Sequence, residues 1–571
     1  MQRLLSHLKP EIGFNTVRHC LPRSCLIHTS SCKFSTPTGS QDLVVKCPYG
    51  DTVIPETNFY NHVFQHFPKY GKKTALIDGV TGREYSYNEV QESVVNMASG
   101  LVRSGMQKGD VLALVSPNSV EFCTTFFSTL AMGGIMSTCN PTYTAEELAY
   151  QFKNSNSKYV ATIPSLLPTI QEAASKAGCV EKMIVLGDDG GVGEGKNMIS
   201  YQSLVNDSGS RFPSDIKLDY KNDIAVLPYS SGTTGLAKGV MLTHYNVTAN
   251  INQLDHPQFI NFRDPNCCLM SILPFFHIYG MIIVLASGLY QGSPGVILPK
   301  FEPELFLNAI QKYHITDAAL VPPLILFLAK HPVVNNFDLS TLKTITCGAA
   351  PLSAEVATAA KERLGIDVIR QGFGLTELSP VSHCCPTDVT NMGSVGVPLL
   401  NTLSKVVDVE TGEAVGPNCE GEVLVKGPQV MKGYLKNEEA TRITVSDDGW
   451  LHTGDIGYYD ENGYFYIVDR LKELIKVKGL QVAPAELEAL LLQHPHISDV
   501  AVIGVDDERS GELPRAFVVR SSDELSEQEV EDFVKEQVAE HKQLKGGVKF
   551  IKEIPKSASG KILHRLLKKD K

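Results

Sequence analysis

DIAVLPYSSGTTGLAKGVMLTH (Asp223–His244) joins two apolar runs through a loop rich in glycine, serine and threonine. We predict a strand over Asp223–Ser230, a second short strand over Gly239–His244, and a helix that begins near His244. Glycines allow several backbone N–H groups to turn toward one anion, and Lys238 adds a positive charge. The stretch therefore predicts a phosphate-binding turn, although a single glycine-rich loop is equally consistent with a flexible solvent loop.

The loop does not match the P-loop pattern G-x-x-x-x-G-K-[ST], because Gly239 follows Lys238 where a P-loop has Ser or Thr. In a P-loop that hydroxyl reaches the Mg²⁺ ion at the β- and γ-phosphates. A metal ligand for this phosphate site must therefore come from another part of the chain.

Strand and helix patterns alternate along the first part of the chain. KTALID at Lys73–Asp78 and VLALVS at Val111–Ser116 are apolar runs typical of buried parallel strands. SYNE at Ser86–Glu89 and TAEE at Thr144–Glu147 are capping boxes, which mark two helix starts. The alternation predicts an α/β fold whose large body is built on parallel sheets.

The pattern changes after Glu420, where β-rich segments come before a compact final unit. This unit combines a helix after Pro484, apolar strands and a helix capped by SEQE, which predicts an α+β domain of about 100 residues. We expect a large N-terminal domain over residues 41–470, including a small β-rich part, and a small C-terminal domain over residues 471–571. The boundary is placed at Asp469–Lys472.

Composition excludes several classes of protein. The 571 residues carry a formal net charge of −11, which argues against a nucleic-acid partner. No segment reaches the roughly 20 apolar residues of a membrane helix, and MIIVLASGLY at Met281–Tyr290 is predicted to be a buried core element. The 13 cysteines lack disulfide-framework or zinc spacing, which is typical of a reduced intracellular protein.

The first 40 residues differ from the rest, since they are basic, rich in serine and poor in acids. This composition is typical of a mitochondrial transit peptide, and a disordered basic tail is the alternative. We expect a mitochondrial protein, or otherwise a cytoplasmic one. The C-terminal sequence KKDK is not a peroxisomal S-K-L signal.

Five further motifs follow the loop in a fixed order. They are QGFGLTE (Gln371–Glu377), GEVLVKG (Gly421–Gly427), GWLHTGDIGYYDENGYFYIVDR (Gly449–Arg470), KELIKVKGLQVAPAELE (Lys472–Glu488) and PKSASGKILHR (Pro555–Arg565). Together with the loop, they resemble the adenylate-forming superfamily, which includes acyl-CoA synthetases, adenylation domains and beetle luciferases. The branch that they resemble is the 4-coumarate–CoA ligase and medium-chain acyl-CoA synthetase group. The resemblance extends from about Ile54 to Lys568.

This resemblance implies an ATP-dependent acid–thiol ligase with Mg²⁺ as cofactor. The acid's carboxylate would attack the α-phosphorus of ATP and release pyrophosphate, and coenzyme A would then displace AMP from the acyl-adenylate. Both steps move negative charge between phosphate and carbonyl oxygens, so positioning and oriented positive groups should carry most of the catalysis.

The resemblance also implies a nucleotide site. The glycine-rich loop would hold the β- and γ-phosphates, Glu377 the Mg²⁺ ion, and Asp455 the ribose hydroxyls, since a carboxylate can accept from both. The implied ATP- and AMP-binding residues are Ser230, Ser231, Gly232, Thr233, Thr234, Lys238, Gln371, Gly372, Phe373, Thr376, Asp455, Arg470, Lys472 and Gln481.

Two catalytic lysines are implied in the C-terminal domain. Lys561 would bridge the attacking carboxylate and the α-phosphate, whereas Lys476 would serve thioester formation. This small domain would turn about a hinge at Lys472 to bring each lysine into play. The implied contacts to coenzyme A are Lys300, Lys478 and Gly479. If LIKVK is extended, Lys476 and Lys478 share one face.

The implied acyl pocket decides which acid is used. Its residues are His277, Tyr279, Ile283, Gly348, Ala349 and Gly374. Ile283 offers no hydrogen-bond partner, which favours a medium-chain or simple aromatic acid over a hydroxylated cinnamate. Three alternatives stay open: an adenylation enzyme that loads a carrier protein, a luciferase-like monooxygenase, and an inactive binding scaffold.

Overall fold

The structure is a computed structural model. It describes residues 43–187, 197–230, 237–387, 391–478, 480–507, 509–557 and 560–568. The first 40 residues therefore lie outside the described part of the chain, as do five predicted site residues: Ser231, Gly232, Thr233, Thr234 and Gly479.

The first sheet contains the two strands that flank the glycine-rich loop. Within the described residues it has six parallel strands, and three short antiparallel strands extend one side of it. In spatial order the strands are Tyr229–Ser230, Lys238–Thr243, Ile224–Val226, Ile135–Cys139, Val111–Val115, Ser157–Thr162, Lys182–Val185 and Met198–Ser200, with Gly433–Tyr434 paired to Lys238–Thr243.

The second sheet is built in the same way, with six parallel strands and antiparallel strands at both edges within the described residues. Its strands are, in spatial order, Val397–Pro398, Val381–Cys384, Val368–Gly374, Thr344–Cys347, Asp317–Leu320, Leu269–Ser271, Gly295–Ile297, Thr74–Asp78 and Glu84–Ser86. The predicted parallel α/β body is thus confirmed.

The strand Val111–Val115 shows why such apolar runs fold as parallel strands. Successive side chains point to opposite faces, so a strand that is apolar throughout needs cover on both. Leu112 and Leu114 pack into a core shared with the second sheet, whereas Ala113 and Val115 pack with Phe152 and Ile170 on the outer helices. A further core covers the far face of the second sheet.

Helices cover both sheets in this part of the chain. They are Phe59–Phe64, Phe67–Tyr70, Tyr87–Arg103, Val120–Ala131, Ala145–Ser155, Leu167–Ala177, Tyr201–Val205, His244–Leu254, Ser287–Gln291, Pro303–Tyr313, Pro322–Lys330, Ala354–Leu364 and Glu438–Thr444. A buried π-helix spans Tyr279–Ala286, and short 3₁₀ turns span Pro164–Leu166, Pro332–Asn336 and Thr376–Leu378. Within the described residues, no helix is both long and apolar enough to span a bilayer.

Both predicted capping boxes are present. The Ser86 N–H donates to Glu89 Oε2 at 2.7 Å, and the Glu89 N–H donates to Ser86 Oγ at 3.3 Å. Thr144 and Glu147 make the same reciprocal pair. Each pair satisfies two amides that a helix start would otherwise leave unpaired, which explains why these two helix starts could be predicted from four residues each.

Two smaller sheets follow. The third sheet is antiparallel, with strands Val45–Lys46, Leu403–Val407, Gly421–Lys426, Leu451–Tyr459 and Phe465–Arg470. The fourth has strands Leu480–Val482, Ile475–Val477, Gly511–Arg520, Ile497–Asp507 and Val548–Phe550. One face of the fourth sheet is covered by helices Pro484–Leu491 and Glu527–Lys535, and the other is covered in part by helix His564–Leu567. A 3₁₀ turn spans Glu540–Lys542.

Lys478 differs from its predicted place on an extended strand. Ile475 and Val477 are buried and Lys476 is exposed, as the alternation predicts, but the strand ends at Val477. Lys478 has a φ of 50°, a left-handed conformation that turns the chain. It therefore does not continue the strand face that carries Lys476.

Candidate active site

A cavity of about 690 Å³ lies beyond the carboxyl ends of the parallel strands. It is bounded by the ends of strands from both parallel sheets, including Tyr229–Ser230, Thr344–Cys347 and Val368–Gly374. The third sheet contributes Arg470, and the C-terminal region contributes Lys561. Ligands in open α/β sheets bind at this end of the strands, so the cavity is the candidate active site.

Glu377 organises the phosphate end of the cavity. Its Oε1 accepts hydrogen bonds from Ser230 Oγ at 3.0 Å and from the Tyr434 hydroxyl at 2.7 Å. Lys238 Nζ lies 4.6 Å from the centre of the Tyr434 ring, which is a cation–π distance. The structure thus brings Ser230, Lys238 and Glu377 together, and Tyr434 links them.

A Mg²⁺ ion fits the donor set at Glu377. Mg²⁺ is usually bound by one or two carboxylates together with substrate phosphates and water, rather than by an all-protein cage. Glu377 Oε2 makes no hydrogen bond to the described residues, which leaves it available as a ligand. Within those residues no group of three or more His, Cys, Asp or Glu side chains that could hold a metal ion is present.

The buried Asp455 forms an ion pair with the half-buried Arg470 on the neighbouring strand of the third sheet, with Arg470 Nε 3.2 Å from Asp455 Oδ1. Burial raises the pKa of Asp455 to about 6, although the charges of Arg470 and Lys561 oppose the rise. Near neutral pH the carboxylate is ionised and can accept two hydroxyl hydrogens. Arg470 lines the cavity, whereas Asp455 itself does not.

Lys561 reaches the cavity from a turn that is closed by the backbone. The Ser557 N–H donates to the Lys561 carbonyl at 2.8 Å, and the Lys561 N–H donates to Ser557 Oγ at 3.1 Å. Burial and the nearby Arg470 charge lower the pKa of Lys561, while Glu473, Asp455 and Glu377 oppose this effect. Among the described residues, the ammonium group makes no ion pair.

Two contacts hold this region against the second sheet's helices. Gly560 has a φ of 79°, and a Cβ at this position would lie 3.0 Å from Val321 Cγ2. Lys330 Nζ donates to the Leu492 carbonyl at 3.1 Å. Gly560 is therefore required both by its backbone conformation and by its close approach to Val321.

The predicted adenine-site residues divide into two groups. Gly372, Phe373 and Thr376 line the cavity, whereas the buried Gln371 side chain bonds the Leu352 backbone and the Met392 carbonyl. Gln371 therefore fixes the neighbouring backbone rather than facing the cavity. Gly348 and Ala349 line the cavity, and Ala349 has a φ of 71°. Backbone strain at a non-glycine residue is often found at functional sites.

The predicted acyl-pocket residues all line the same cavity: His277, Tyr279, Ile283, Gly348, Ala349 and Gly374. Burial lowers the pKa of His277 to about 4, so its imidazole is neutral at physiological pH. The Tyr279 hydroxyl donates to the Thr346 carbonyl at 2.9 Å, and a Cβ at Gly348 would lie 3.0 Å from the Tyr279 ring. Only glycine lets this ring pack flat against the pocket wall.

A buried cation next to this pocket was not predicted from the sequence. Arg370 is 4% exposed, and its Nε donates to Thr346 Oγ1 at 3.1 Å. Thr346 lines the cavity. Arg370 Nη1 has no hydrogen-bond partner among the described residues. A buried donor without a partner is costly, so this position needs an acceptor.

The predicted coenzyme A and thioesterification residues lie apart from the cavity. Lys476, Lys478 and Gln481 are exposed and do not line it, and Lys300 pairs with Glu302 at 2.7 Å. Lys472, the predicted hinge residue, does line the cavity. The structure therefore groups Lys561 with the nucleotide residues and leaves Lys476 outside.

Sequence reasoning missed Tyr434 and Glu473. Tyr434 lies in a two-residue strand that pairs with Lys238–Thr243, and no local motif marks it. Glu473 was passed over beside the hinge, although it contacts His564 at 2.8 Å. Both residues make their contacts with partners far away in the chain, so no local sequence signal marks them.

Comparisons with known proteins agree with this geometry. A family model described as "AMP-binding enzyme" matches residues 63–435, and its "AMP-binding enzyme C-terminal domain" matches residues 486–561. A probable 4-coumarate–CoA ligase 1 of Dictyostelium discoideum is 42% identical over 532 residues, which cover 91% of this chain and 96% of that protein.

Solved structures show the same likeness. ATP-bound MatB from Rhodopseudomonas palustris is 28% identical with a TM-score of 0.79, and the match covers 90% of this chain and 99% of that one. An anthranilate CoA ligase in complex with anthranoyl-AMP is 25% identical with a TM-score of 0.81, covering 90% and 97% of the two chains.

Proposed function

Because this chain belongs to the AMP-binding enzyme family, we propose that it is an ATP-dependent acid–coenzyme A ligase that works through an acyl-adenylate. The observation that carries this proposal is that Lys561, Glu377 and Arg470 line one cavity together with Ser230 and Lys238, and that Arg470 pairs with the buried Asp455. Fixed positive groups around an anionic substrate are the main requirement of phosphoryl chemistry at an α-phosphorus.

Each residue has a distinct role in the first half-reaction. Asp455 accepts hydrogen bonds from the ribose hydroxyls. Arg470 keeps Asp455 ionised and in place. Lys238 and Ser230 hold the pyrophosphate that leaves. Lys561 brings the acid's carboxylate to the α-phosphate as a compact point charge. Mg²⁺ bound at Glu377 supplies further charge neutralisation at the phosphates.

The second half-reaction uses a different face of the C-terminal domain. Lys476 lies outside the cavity in this arrangement, so it serves thioester formation only after the domain turns about Lys472. Lys478, Gly479 and Lys300 would then meet coenzyme A. We propose domain limits of 41–470 and 471–571. Residues 471–474 connect the last strand of the third sheet to the fourth sheet.

Acid-dependent release of AMP, measured with and without coenzyme A, tests this function. We expect AMP release stimulated by coenzyme A, together with a stable thioester product. Release without stimulation by coenzyme A would point to an enzyme that loads a carrier protein, and light emission or oxygen uptake would point to a luciferase-like monooxygenase. No pyrophosphate exchange with any acid would contradict the proposal and support an inactive scaffold.

The acyl pocket supports an apolar acid. Ile283 is 2% exposed and lines the cavity, and His277 beside it is uncharged. We propose a medium-chain fatty acid or a simple aromatic acid, which would place the enzyme in fatty acid or aromatic acid metabolism. A kcat/KM for octanoate that exceeds the value for 4-coumarate is the expected result.

Arg370 favours a second candidate, an acid with a hydrogen-bond acceptor at its far end. Its unpartnered Nη1 and its bond to the cavity residue Thr346 would suit a phenolic oxygen. If this candidate is right, the wild type prefers 4-coumarate, and Arg370→Met lowers kcat/KM for 4-coumarate but not for octanoate. The folded state of the variant is checked by thermal unfolding, because Arg370 is buried.

We also propose a mitochondrial location, which rests only on the composition of the first 40 residues. A fusion of these residues to a fluorescent reporter tests it. Import of the reporter into mitochondria is expected, whereas diffuse cytoplasmic fluorescence would support a disordered tail.

A further inference from the structure

We propose that His564 is a positioning residue for adenylation, because it holds Glu473 and so keeps the Lys561 ammonium available for the acid and the α-phosphate. This inference rests on the proposed function. The helix that begins at His564 starts three residues after Lys561.

His564 is clamped between two carboxylates. Its Nδ1 lies 2.8 Å from Glu473 Oε2 and its Nε2 lies 3.2 Å from Glu488 Oε1. The three side chains are largely buried, with 14% exposure for His564, 18% for Glu473 and 14% for Glu488. Glu473 belongs to the segment between the third and fourth sheets, and Glu488 belongs to helix Pro484–Leu491. His564 therefore connects the Lys561 turn to two separate elements.

Both ring nitrogens can bond carboxylates only if both carry hydrogen, so the geometry requires a protonated imidazole. Burial alone would lower the pKa of His564, but the two carboxylates raise it to about 9. The other charged groups near the clamp are Asp455, Asp469, Arg470 and Lys561. Burial raises the pKa of Asp469 to about 7, so it adds only part of a negative charge at neutral pH.

Every carboxylate near Lys561 has another partner. Asp455 pairs with Arg470, Glu377 accepts from Ser230 and Tyr434, and Glu473 pairs with His564. These three carboxylates are also the ones that act electrostatically on Lys561. Their arrangement leaves the ammonium without an ion pair among the described residues.

Glu473 is the carboxylate whose release would matter most. Asp455 keeps its partner on the third sheet and Glu377 keeps its partners on the first, whereas Glu473 depends on His564 alone among the hydrogen-bonding groups that the structure describes. Without that cation, a largely buried Glu473 needs a new positive partner, and Lys561 is nearby. An ion pair between Glu473 and Lys561 would compete with the substrate.

Four variants separate this role from simple scaffolding. His564→Gln removes the cation, His564→Arg keeps it, and the double variant His564→Gln with Glu473→Gln removes the competing charge as well. His541→Gln is the matched control. His541 also belongs to the C-terminal region, in the 3₁₀ turn Glu540–Lys542, but unlike His564 it does not line the cavity. Adenylation is measured as acid-dependent pyrophosphate exchange with the best acid among octanoate, benzoate and 4-coumarate.

We expect His564→Gln to lower kcat for exchange at least tenfold with little change in KM for ATP, and the double variant to recover to within about threefold of wild type. His564→Arg and His541→Gln should stay near wild type. A double variant that is no better than His564→Gln would overturn the proposal, because the Glu473 charge would then not be what limits adenylation.

The pH profile gives a second readout. A raised pKa means that the clamp is present at low pH and is lost as pH rises through about 9. Exchange by the wild type should therefore fall through this range, whereas His564→Arg should keep its activity to higher pH. Identical alkaline limbs would contradict the role of His564.

A third measurement does not depend on activity. Competitive acetylation of the intact protein, followed by peptide mass spectrometry, reports how available the Lys561 amine is. We expect at least a threefold drop in Lys561 labelling in His564→Gln and recovery in the double variant. Unchanged Lys561 labelling in His564→Gln would overturn this inference alone. If the wild type shows no pyrophosphate exchange but Lys561 labelling drops in His564→Gln and recovers in the double variant, only the proposed function is overturned.

Discussion

At the scale of single residues, Asp455 shows how burial changes the working range of a carboxylate. Its side chain is 5% exposed, and burial raises its pKa to about 6. An ionised carboxylate accepts hydrogen bonds more strongly than a protonated carboxyl does, so the proposed ribose contact is strongest when Asp455 is ionised. The motif HTGD implied a ribose contact at Asp455 through the family resemblance, and that contact stays a prediction. The pKa could not be predicted, because it depends on neighbours such as Lys561 and Glu377 far away in the chain.

The pH dependence of nucleotide binding tests this point. As pH falls through about 6, Asp455 gains a proton and loses an acceptor, so AMP should bind about tenfold more weakly at pH 5 than at pH 7.5. Isothermal titration calorimetry measures the Kd. Asp455→Asn should bind AMP weakly at both pH values, and a wild-type Kd that is flat over this range would argue against the assignment.

Tyr434 is the second residue whose role can be isolated. Its hydroxyl donates to Glu377 at 2.7 Å, and a hydrogen bond to a charged group contributes about 1.5–3 kcal/mol. Tyr434→Phe should lower kcat/KM for ATP by about tenfold in an AMP-release assay. Tyr245→Phe, on helix His244–Leu254, is the control. Equal kcat/KM values for both variants would show that the Tyr434 hydroxyl does not support the phosphate end.

At the scale of elements, the strand Val368–Gly374 carries the motif QGFG into the cavity and makes a bulge between Phe373 and Gly374. A Cβ at Gly374 would lie 2.1 Å from the Pro380 carbonyl oxygen. The motif predicted a site at this strand end. The reason for glycine is the close neighbouring strand, which no local pattern reveals.

Gly374→Ala should therefore lower the free energy of unfolding by about 1–3 kcal/mol, because the neighbouring backbone must move. Gly416→Ala is the matched control, since its added Cβ would meet nothing within 4 Å. Thermal unfolding of both variants measures the difference. A Gly374→Ala protein as stable as Gly416→Ala would contradict the close packing of these strands.

Elements could be predicted where their signals are local. The capping boxes at Ser86 and Thr144 satisfy helix-start amides within four residues. The continuous apolar run at Val111–Val115 indicates a strand that is buried on both faces. By contrast, the left-handed turn at Lys478 and the π-helix at Tyr279–Ala286 depend on tertiary context. Their sequences contain no residue that requires those conformations.

At the scale of the whole molecule, the cavity joins residues more than 300 positions apart, such as Ser230 and Lys561. The order of motifs predicted this convergence through a family resemblance. Intervening partners such as Tyr434, Glu473 and Arg370 could not be predicted, because their contacts exist only after the sheets and the C-terminal region come together.

The proposed use of two lysines also belongs to this scale. Lys561 lines the cavity while Lys476 is exposed outside it, although both belong to the region after Arg470. This arrangement places only Lys561 at the cavity. We therefore propose that adenylation uses Lys561 and that thioester formation uses Lys476.

Measurement of both half-reactions in Lys561→Ala tests this division most directly. Pyrophosphate exchange should be lost, while thioester formation from supplied acyl-AMP and coenzyme A should be retained. Lys476→Ala should show the reverse pattern. Loss of both half-reactions in Lys561→Ala, in a protein that unfolds at the wild-type temperature, would contradict the account.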